Sequence, residues 1–375
     1  MTTENLRILR VVQSTYPEVV GGVGIHVHEM SRRQSEMGHD VTVLTTDNGD
    51  RSLPRTEHRD GYTLVRHKEV ARLIDNSIFP GVIKSLYERA NDFDIIHAHS
   101  HLYFSTNLSA LISKITDSNL VITNHGFYSQ TASTSIQKVY NRTIGKATLN
   151  SADRIFCYTP RAKNILREHN IGSPIEIISN GINCEIFAPE NEEDETQQIL
   201  FVGRLKNGKR PDALIRGFGK LVDEYPNYQL KIVGDGPMLP DLKTLCNEKN
   251  IQEMVTFTGE LSYDEMPDVY RQSDLLVLPT KTEAAIPRVV MEAWACKTPA
   301  IMPNIQEIDA EIFKKGGILC DGTPSGIYDS VRQLIEDDQL RSTLGNTGRE
   351  VVQEKYSWAE TVEKTTETYY EVVNE

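Results

Sequence analysis

The sequence predicts an α/β chain made of two Rossmann-like domains. Three observations point there. Short apolar runs recur along the chain, most of them ending in glycine or polar residues and followed by a segment with helical spacing. A polar, acidic run at residues 189–198 separates two such series and reads as a linker. Residues 275–296, LLVLPTKTEAAIPRVVMEAWAC, place a strand, a loop and a proline-started helix in succession, which is half of a parallel α/β unit.

The 375 residues suffice for two domains with cores of their own. Acidic residues number 53 against 40 basic ones, and the formal charge of -13 argues against a general nucleic-acid binder. Five cysteines, an odd count with no paired metal spacing, fit a reduced, cytoplasmic protein. The sequence shows no cleavable leader and no run of apolar residues long enough to span a bilayer, so any membrane contact is expected to be peripheral.

Residues 6–13, LRILRVVQ, read as the first, buried strand. Gly21, Gly22 and Gly24 follow in a loop ahead of a helix over 25–37. Glycines there either let backbone N–H groups approach a ligand or make a tight turn. GGVG matches neither a dinucleotide fingerprint nor a P-loop. His26 and His28 cannot share a helix face and read as surface or packing residues. Strands follow at 39–46 and, as an edge strand, at 61–67, with a polar loop over 47–60 between them. His97, His99 and His101 alternate along the strand at 93–100 and its end, without an acidic partner at ligand spacing, so no metal is expected. A strand at 119–128 has His125 at its tip, a place for acid–base help or an oxygen contact, or for a bond to a neighbouring carbonyl. A polar helix over 133–151 and strands at 153–160 and 175–182 complete the first domain.

The second series opens with the strand ILFVG at 199–203. Arg204 and Lys209 stand between it and a helix over 211–225, as a diphosphate clamp or as a solvated basic loop. Strands recur at 228–238, 255–261, 275–278, 299–304 and 316–321, with a helix beginning in 263–270. The helix N-terminus around Pro287, Arg288 and Val289 suits an anion such as a diphosphate. Glu292, one turn further on, suits hydroxyl recognition or faces solvent. The tail from Ser325 is helical by periodicity, and Ser357 with Glu360 has the spacing of a capping box for the last helix. Two such domains would face each other across a cleft, donor on one side and acceptor on the other.

Taken in order, GGVG, GHDVTVLT, DIIHAHS, SNGINCEIFAP, FVGRLKNGKRPDALIRGF, LKIVGDGP, VTFTGELSYDEM, LLVLPTKTEAAIPRVVMEAWACKTPA and YSWAETVEKTTETYYEV are similar to the motif series of one family. Over essentially its whole length the chain resembles the family 4 retaining glycosyltransferases of the GT-B fold. The resemblance implies an acceptor-side domain over 1–185, a nucleotide-sugar domain over 186–355 and a last helix, 356–375, packing back on the first. It implies transfer of a sugar with retention from a nucleotide-sugar, a UDP- or GDP-sugar, to a glycan, a lipid-linked sugar or a small molecule, with neither metal nor other cofactor. Many such enzymes work at the cytoplasmic face of a membrane.

By the same resemblance, Gly22 and Gly24 would lie against the donor diphosphate and His125 near the transferred sugar. Arg204 and Lys209 would neutralise the diphosphate as it leaves. Val289 would stand at the donor-binding helix start, and Glu292 would bind the ribose hydroxyls. The family carries two glutamates eight positions apart, and eight before Glu292 stands Ala284, with Glu283 beside it. Glu283 is the residue expected to take the sugar-contacting role. Three other functions share parts of the pattern: a non-catalytic sugar-nucleotide-binding partner of another transferase, an epimerase of the same fold, and a nicotinamide-dependent oxidoreductase. The last lacks its glycine fingerprint after the first strand.

Overall fold

A computed structural model describes residues 5–19, 21–128, 132–190, 197–283, 285–306 and 308–375. The chain forms two compact units, one of Met1–Gly181 with Trp358–Glu375, the other of Ile182–Ser357.

The strands of unit 1 are β1 (Arg7–Val11), β2 (Asp40–Thr46), β3 (Thr56–Arg59), β4 (Tyr62–His67), the hairpin β5 (Ala71–Leu73) and β6 (Asn76–Ile78), β7 (Ile95–His99), β8 (Leu120–Thr123), β9 (Arg154–Cys157) and β10 (Ile175–Ile177). All but the hairpin form one sheet in the order β10-β9-β8-β7-β1-β2-β4-β3, with β3 antiparallel to β4. The order reverses between β1 and β7, so the loops behind those strands flank the crevice where such sheets bind ligands. Between the strands run α1 (Gly22–Glu36), α2 (Gly81–Arg89), α3 (Phe104–Thr116), α4 (Thr134–Arg142), α5 (Ile144–Leu149) and α6 (Pro160–Glu168). The central strands are buried on both faces and mostly apolar, apart from Arg10 in β1 and His97 and His99 in β7. Leu9, Ile96 and Ile122 pack with Leu86, Ile112 and Leu166 on one side, and Ile8, Ile95 and Val121 with Val27 and Tyr369 on the other.

Several local expectations are corrected. The first helix begins at Gly22, not Ile25, because the glycine pair forms its first turn. The loop expected over 47–60 contains β3, which makes β4 an inner strand. The single helix expected over 133–151 breaks at Thr143, whose φ of -119° and ψ of -96° lie outside the helical region.

Unit 2 is a wholly parallel sheet of β11 (Gln198–Val202), β12 (Gln229–Val233), β13 (Val255–Gly259), β14 (Leu275–Val277), β15 (Ala300–Pro303) and β16 (Gly317–Cys320), in the order β13-β12-β11-β14-β15-β16. Its helices are α7 (Pro211–Leu221), α8 (Leu239–Glu248), α9 (Met266–Arg271), α10 (Arg288–Ala295), α11 (Ala310–Gly316), α12 (Pro324–Glu336) and α13 (Asp338–Lys355). Here the order reverses between β11 and β14. Behind β12, Gly234 has φ +124°, and a Cβ there would stand 2.3 Å from the Gly203 carbonyl oxygen. Only glycine lets these two loops meet at the strand ends.

The last helix, α14 (Trp358–Asn374), belongs to unit 1. Trp358 clusters with Met30 and Val362, and a Cβ on Gly181 would lie 2.3 Å from the indole. Tyr369 is fully buried and accepts a hydrogen bond from Arg10 at 3.2 Å. Among the described residues no helix is long and apolar enough to cross a membrane.

Candidate active site

In unit 2 the loop after β11 is pinned to the loop after β14. Lys281 N–H donates to the Gly208 carbonyl at 2.9 Å, and Thr280 Oγ1 reaches the same oxygen at 3.3 Å. That pinning sets Lys209 against Glu283. The ammonium forms an ion pair with Glu283 Oε1, which also accepts from Thr280 Oγ1 at 3.0 Å. Arg204 stays exposed and makes no ion pair with a described residue. The expected cations therefore stand behind the switch-point strand, one open to solvent and one already neutralised.

At α10 the first intrahelical bond is made by Val290 N–H to the Pro287 carbonyl, so the Val289 N–H lies ahead of the ladder. Glu292, one turn into α10, falls on the inward face. There it is 4 % exposed, with Oε1 accepting from Arg288 Nε at 2.8 Å and Oε2 from Tyr270 Oη at 2.9 Å. Burial pushes its carboxyl above the usual range, while Arg288 and Tyr270 draw it back. Burial, then the Glu292 charge, pushes the Tyr270 phenol well up. Position 284, where the family has its first glutamate, lies outside the described residues.

In unit 1 the β1–α1 loop is held by Glu18, which accepts from Arg59 at 2.6 Å and also from Arg66. Burial alone would raise the Glu18 carboxyl; the two arginines reverse this and hold it at about 2. A Cβ on Gly24 would come within 3.0 Å of the Val19 carbonyl oxygen, so Gly24 is explained by packing against this loop. Gly22 has open space where its Cβ would be.

His125 follows the tip of β8, half-buried. Its Nδ1 lies 2.6 Å from Tyr158 Oη and its Nε2 3.0 Å from His99 Nδ1. The His26 ring packs 5.5 Å from His125 and 5.7 Å from His99, and Nδ1 of His26 is 2.7 Å from Asn180 Oδ1. His97 stacks on His99 at 4.4 Å and hydrogen-bonds Thr123 and Tyr369. Burial lowers the pKa of His97, His99 and His125 well below the ordinary value, and neighbouring histidines add to the effect. All three rings are neutral at pH 7.

A neutral imidazole donates from one nitrogen and accepts at the other. His99 Nε2 is buried with no hydrogen-bond partner. A lone acceptor there costs less than a lone N–H, so the His99 proton sits on Nδ1 and is donated to His125 Nε2. His125 Nδ1–H then donates to Tyr158. A sugar oxygen can thus engage His125 only by exchange with His99 or Tyr158. Among the described residues no group of three His, Cys, Asp or Glu side chains is placed to hold a metal ion.

The family model described as Glycosyltransferase Family 4 matches residues 20–186, and the model Glycosyl transferases group 1 matches residues 183–351. The chain belongs to the family 4 glycosyltransferases. This glycosyltransferase is 26% identical over 370 residues to an uncharacterised glycosyltransferase of Methanocaldococcus jannaschii, covering 97% of this chain and 99% of that one. It is 23% identical to the GPI3 subunit of the phosphatidylinositol N-acetylglucosaminyltransferase of Saccharomyces cerevisiae, over 94% of this chain and 80% of the relative. Among solved structures it is similar to Anabaena HepE in complex with UDP-glucose, at a TM-score of 0.80 and 17% identity, over 98% of this chain and 100% of HepE. The fold of this glycosyltransferase is GT-B.

Sequence reasoning missed two neighbours of His125. His26 reads as a packing residue because His26 and His28 cannot share a helix face; its partners come from β7, the loop after β8 and the segment after β10. Tyr158 lies just past β9, in the stretch 153–160 that the sequence marks only as a strand.

Proposed function

We propose that the protein transfers a sugar, with retention, from a nucleotide-sugar to an acceptor hydroxyl. The observation that carries this reading is the pair Arg204 and Lys209 at the junction of β11 and α7, beside the reversal of strand order. As the sugar–oxygen bond breaks, its electrons pass to the diphosphate. Cations aimed there stabilise the transition state more than the ground state. Val289 N–H at the start of α10 adds a neutral donor. Glu283, held by Lys209 and Thr280, is the carboxylate assigned to the transferred sugar, and Gly22 leaves room for a ligand at the start of α1. In unit 1, His125 is the neutral group that meets the sugar. Binding of UDP-glucose by the fold neighbour HepE supports a UDP-sugar donor ahead of a GDP-sugar. With these cations assigned to the leaving group, the transfer is metal-independent.

The test is a screen of the purified protein against nucleotide-sugars, reading free nucleotide and the anomeric configuration of the product by NMR, with and without EDTA. Retained product formed in EDTA is expected. An inverted product, an isomerised sugar without an acceptor product, or loss of activity in EDTA restored by a divalent ion would overturn the mechanism. Arg204→Ala and Lys209→Ala are each expected to weaken nucleoside-diphosphate binding; unchanged affinity in both removes the clamp.

A further inference from the structure

Among the described residues Arg10 is a fully buried cation without a counter-charge. It stands within β1, and its guanidinium donates to neutral oxygens. Nη1 reaches Ser31 Oγ at 2.9 Å, and Nη2 reaches Gln34 Oε1 at 2.6 Å and Tyr369 Oη at 3.2 Å. Its Nε–H is buried with no acceptor. A buried cation held this way costs stability, and an apolar side chain of similar volume would serve the core as well or better. Stability therefore does not explain Arg10, and its neighbours supply another reason.

Tyr369 opens a chain of hydrogen bonds that runs toward His125. A phenol has one proton to give. With Arg10 donating to Tyr369 Oη, the hydroxyl donates in turn to His97 Nδ1. His97 then carries its proton on Nε2 and donates it to Thr123 Oγ1 at 2.7 Å. Both nitrogens of His97 are committed, which pins the plane of its ring. His99 stacks on that ring, with centroids 4.4 Å apart and planes 28° from parallel, and its Nδ1–H meets His125 Nε2 at 3.0 Å. His125 donates onward to Tyr158 at 2.6 Å. The chain has one direction, and Arg10 stands at its far end.

A second proton has no place in this chain. On His97 it would turn Nδ1–H toward an oxygen that already accepts from Arg10, and would leave the phenol proton without an acceptor. On His99 it would occupy Nε2, which is buried with no partner. The charged and titratable groups around His97 are Arg10 from β1, His26 from α1, His99 from β7, His125 after β8 and Tyr369 from α14. Burial, then the Arg10 charge, pushes the His97 pKa well down, in the same sense as the hydrogen bonds. Without Arg10 the direction is no longer fixed. Gln34 Oε1 and Tyr369 Oη both lie on Arg10 Nη2, so in its absence they can bond each other. Tyr369 Oη can then accept from an Nδ1–H on His97.

We propose that Arg10 is a positioning residue for the sugar transfer: through Tyr369 and the stacked rings of His97 and His99 it holds His125 as a donor at Nδ1 and an acceptor at Nε2. Its use in transfer rests on the transferase reading; the proton arrangement does not.

Heteronuclear NMR of the histidine rings tests the arrangement in the full chain without substrate, and the pH profile of kcat tests its use. In the parent, His97 should carry its proton on Nε2, and His99 and His125 on Nδ1. Arg10→Met keeps the bulk and removes the charge. It should give His97 a second, Nδ1–H form and move the charging of His97 and His99 to higher pH, and the acid limb of kcat should move with them. At neutral pH kcat should fall about tenfold, with KM for the nucleotide-sugar and UDP affinity within about twofold of the parent. A melting curve no lower than the parent's is expected and separates this loss from misfolding. Other tautomers in the parent would overturn the proposal, whether or not the variant folds. A parental kcat and acid limb in folded Arg10→Met would also overturn it. Altered ring signals with parental kinetics would remove Arg10 from the transfer. A parent that turns over no nucleotide-sugar would sink the transferase reading, and the ring signals would still show whether Arg10 sets the arrangement.

Discussion

Replacing Glu283 by glutamine removes a charge but keeps an oxygen that can accept from Thr280. In the ligand-free protein that charge neutralises Lys209, in a pair whose side chains are 18% and 12% exposed. At an effective dielectric of about 20, two charges about 4 Å apart attract by about 4 kcal/mol. Competing solvation leaves a charge-assisted bond worth about 1.5 to 3 kcal/mol. A diphosphate that takes up Lys209 must first share or break this bond. Glu283→Gln should therefore tighten UDP or GDP binding by about ten- to a hundredfold, read by calorimetric titration. If Glu283 also meets the transferred sugar, turnover should fall by about ten- to a thousandfold, about 1.4 to 4 kcal/mol of transition-state stabilisation. The two quantities move in opposite directions, which simple unfolding cannot produce. Tighter binding with a rate within twofold of the parent would remove Glu283 from the chemistry. Unchanged or weaker binding would refute the competition for Lys209.

Tyr158→Phe takes away the acceptor of His125 Nδ1–H and should lower kcat about tenfold with nucleoside-diphosphate affinity within twofold; an unchanged kcat would show that the bond does not position the ring. Trp358→Ala empties a site that is 2% exposed and should cost unit 1 about 3 to 5 kcal/mol, lowering its melting temperature by roughly 6 to 20 °C; a loss below about 1 kcal/mol would show that α14 is dispensable. Glu18, held at about 2 in the folded protein against 4.5 ordinarily, contributes stability that is fully present above pH 4.5 and lost as the pH falls through 2. After partial solvent screening this is about 1 to 2 kcal/mol, and Glu18→Gln should flatten that part of an acid-denaturation profile; a profile identical to the parent's would refute the assignment.

The α/β repeat was legible because strands covered on both faces are continuously apolar, as in Leu275–Val277, and because Pro211 and Pro287 stand where helices start. The hairpin of β5 and β6 was not, since its exposed residues carry no alternating pattern. The break at Thr143 sits in a polar stretch whose composition suits a continuous helix. At the site, Arg204, Lys209 and His125 could be placed by chain position because strand ends define where such residues stand. The meeting of His26, His99 and His125 is tertiary: α1, β7 and the tip of β8 bring it about, and no sequence spacing encodes it. The inward turn of Glu292 likewise depended on Tyr270 and Arg288, which only the packing of α9 on α10 brings together.

Helix α14 also sets an order of events during synthesis. Residues 182–357 are all synthesised before residue 358 is added, so unit 1 lacks its last element until the chain is nearly complete. Until then Arg10 and His97 wait without Tyr369, and the indole that lies over Gly181 is missing. The nascent first unit therefore carries an open apolar groove lined by Val27 and Met30 for the whole time unit 2 is being made. A chain stopped at residue 357 would keep that groove, and its first liability would be capture by chaperones or aggregation rather than a defect in chemistry.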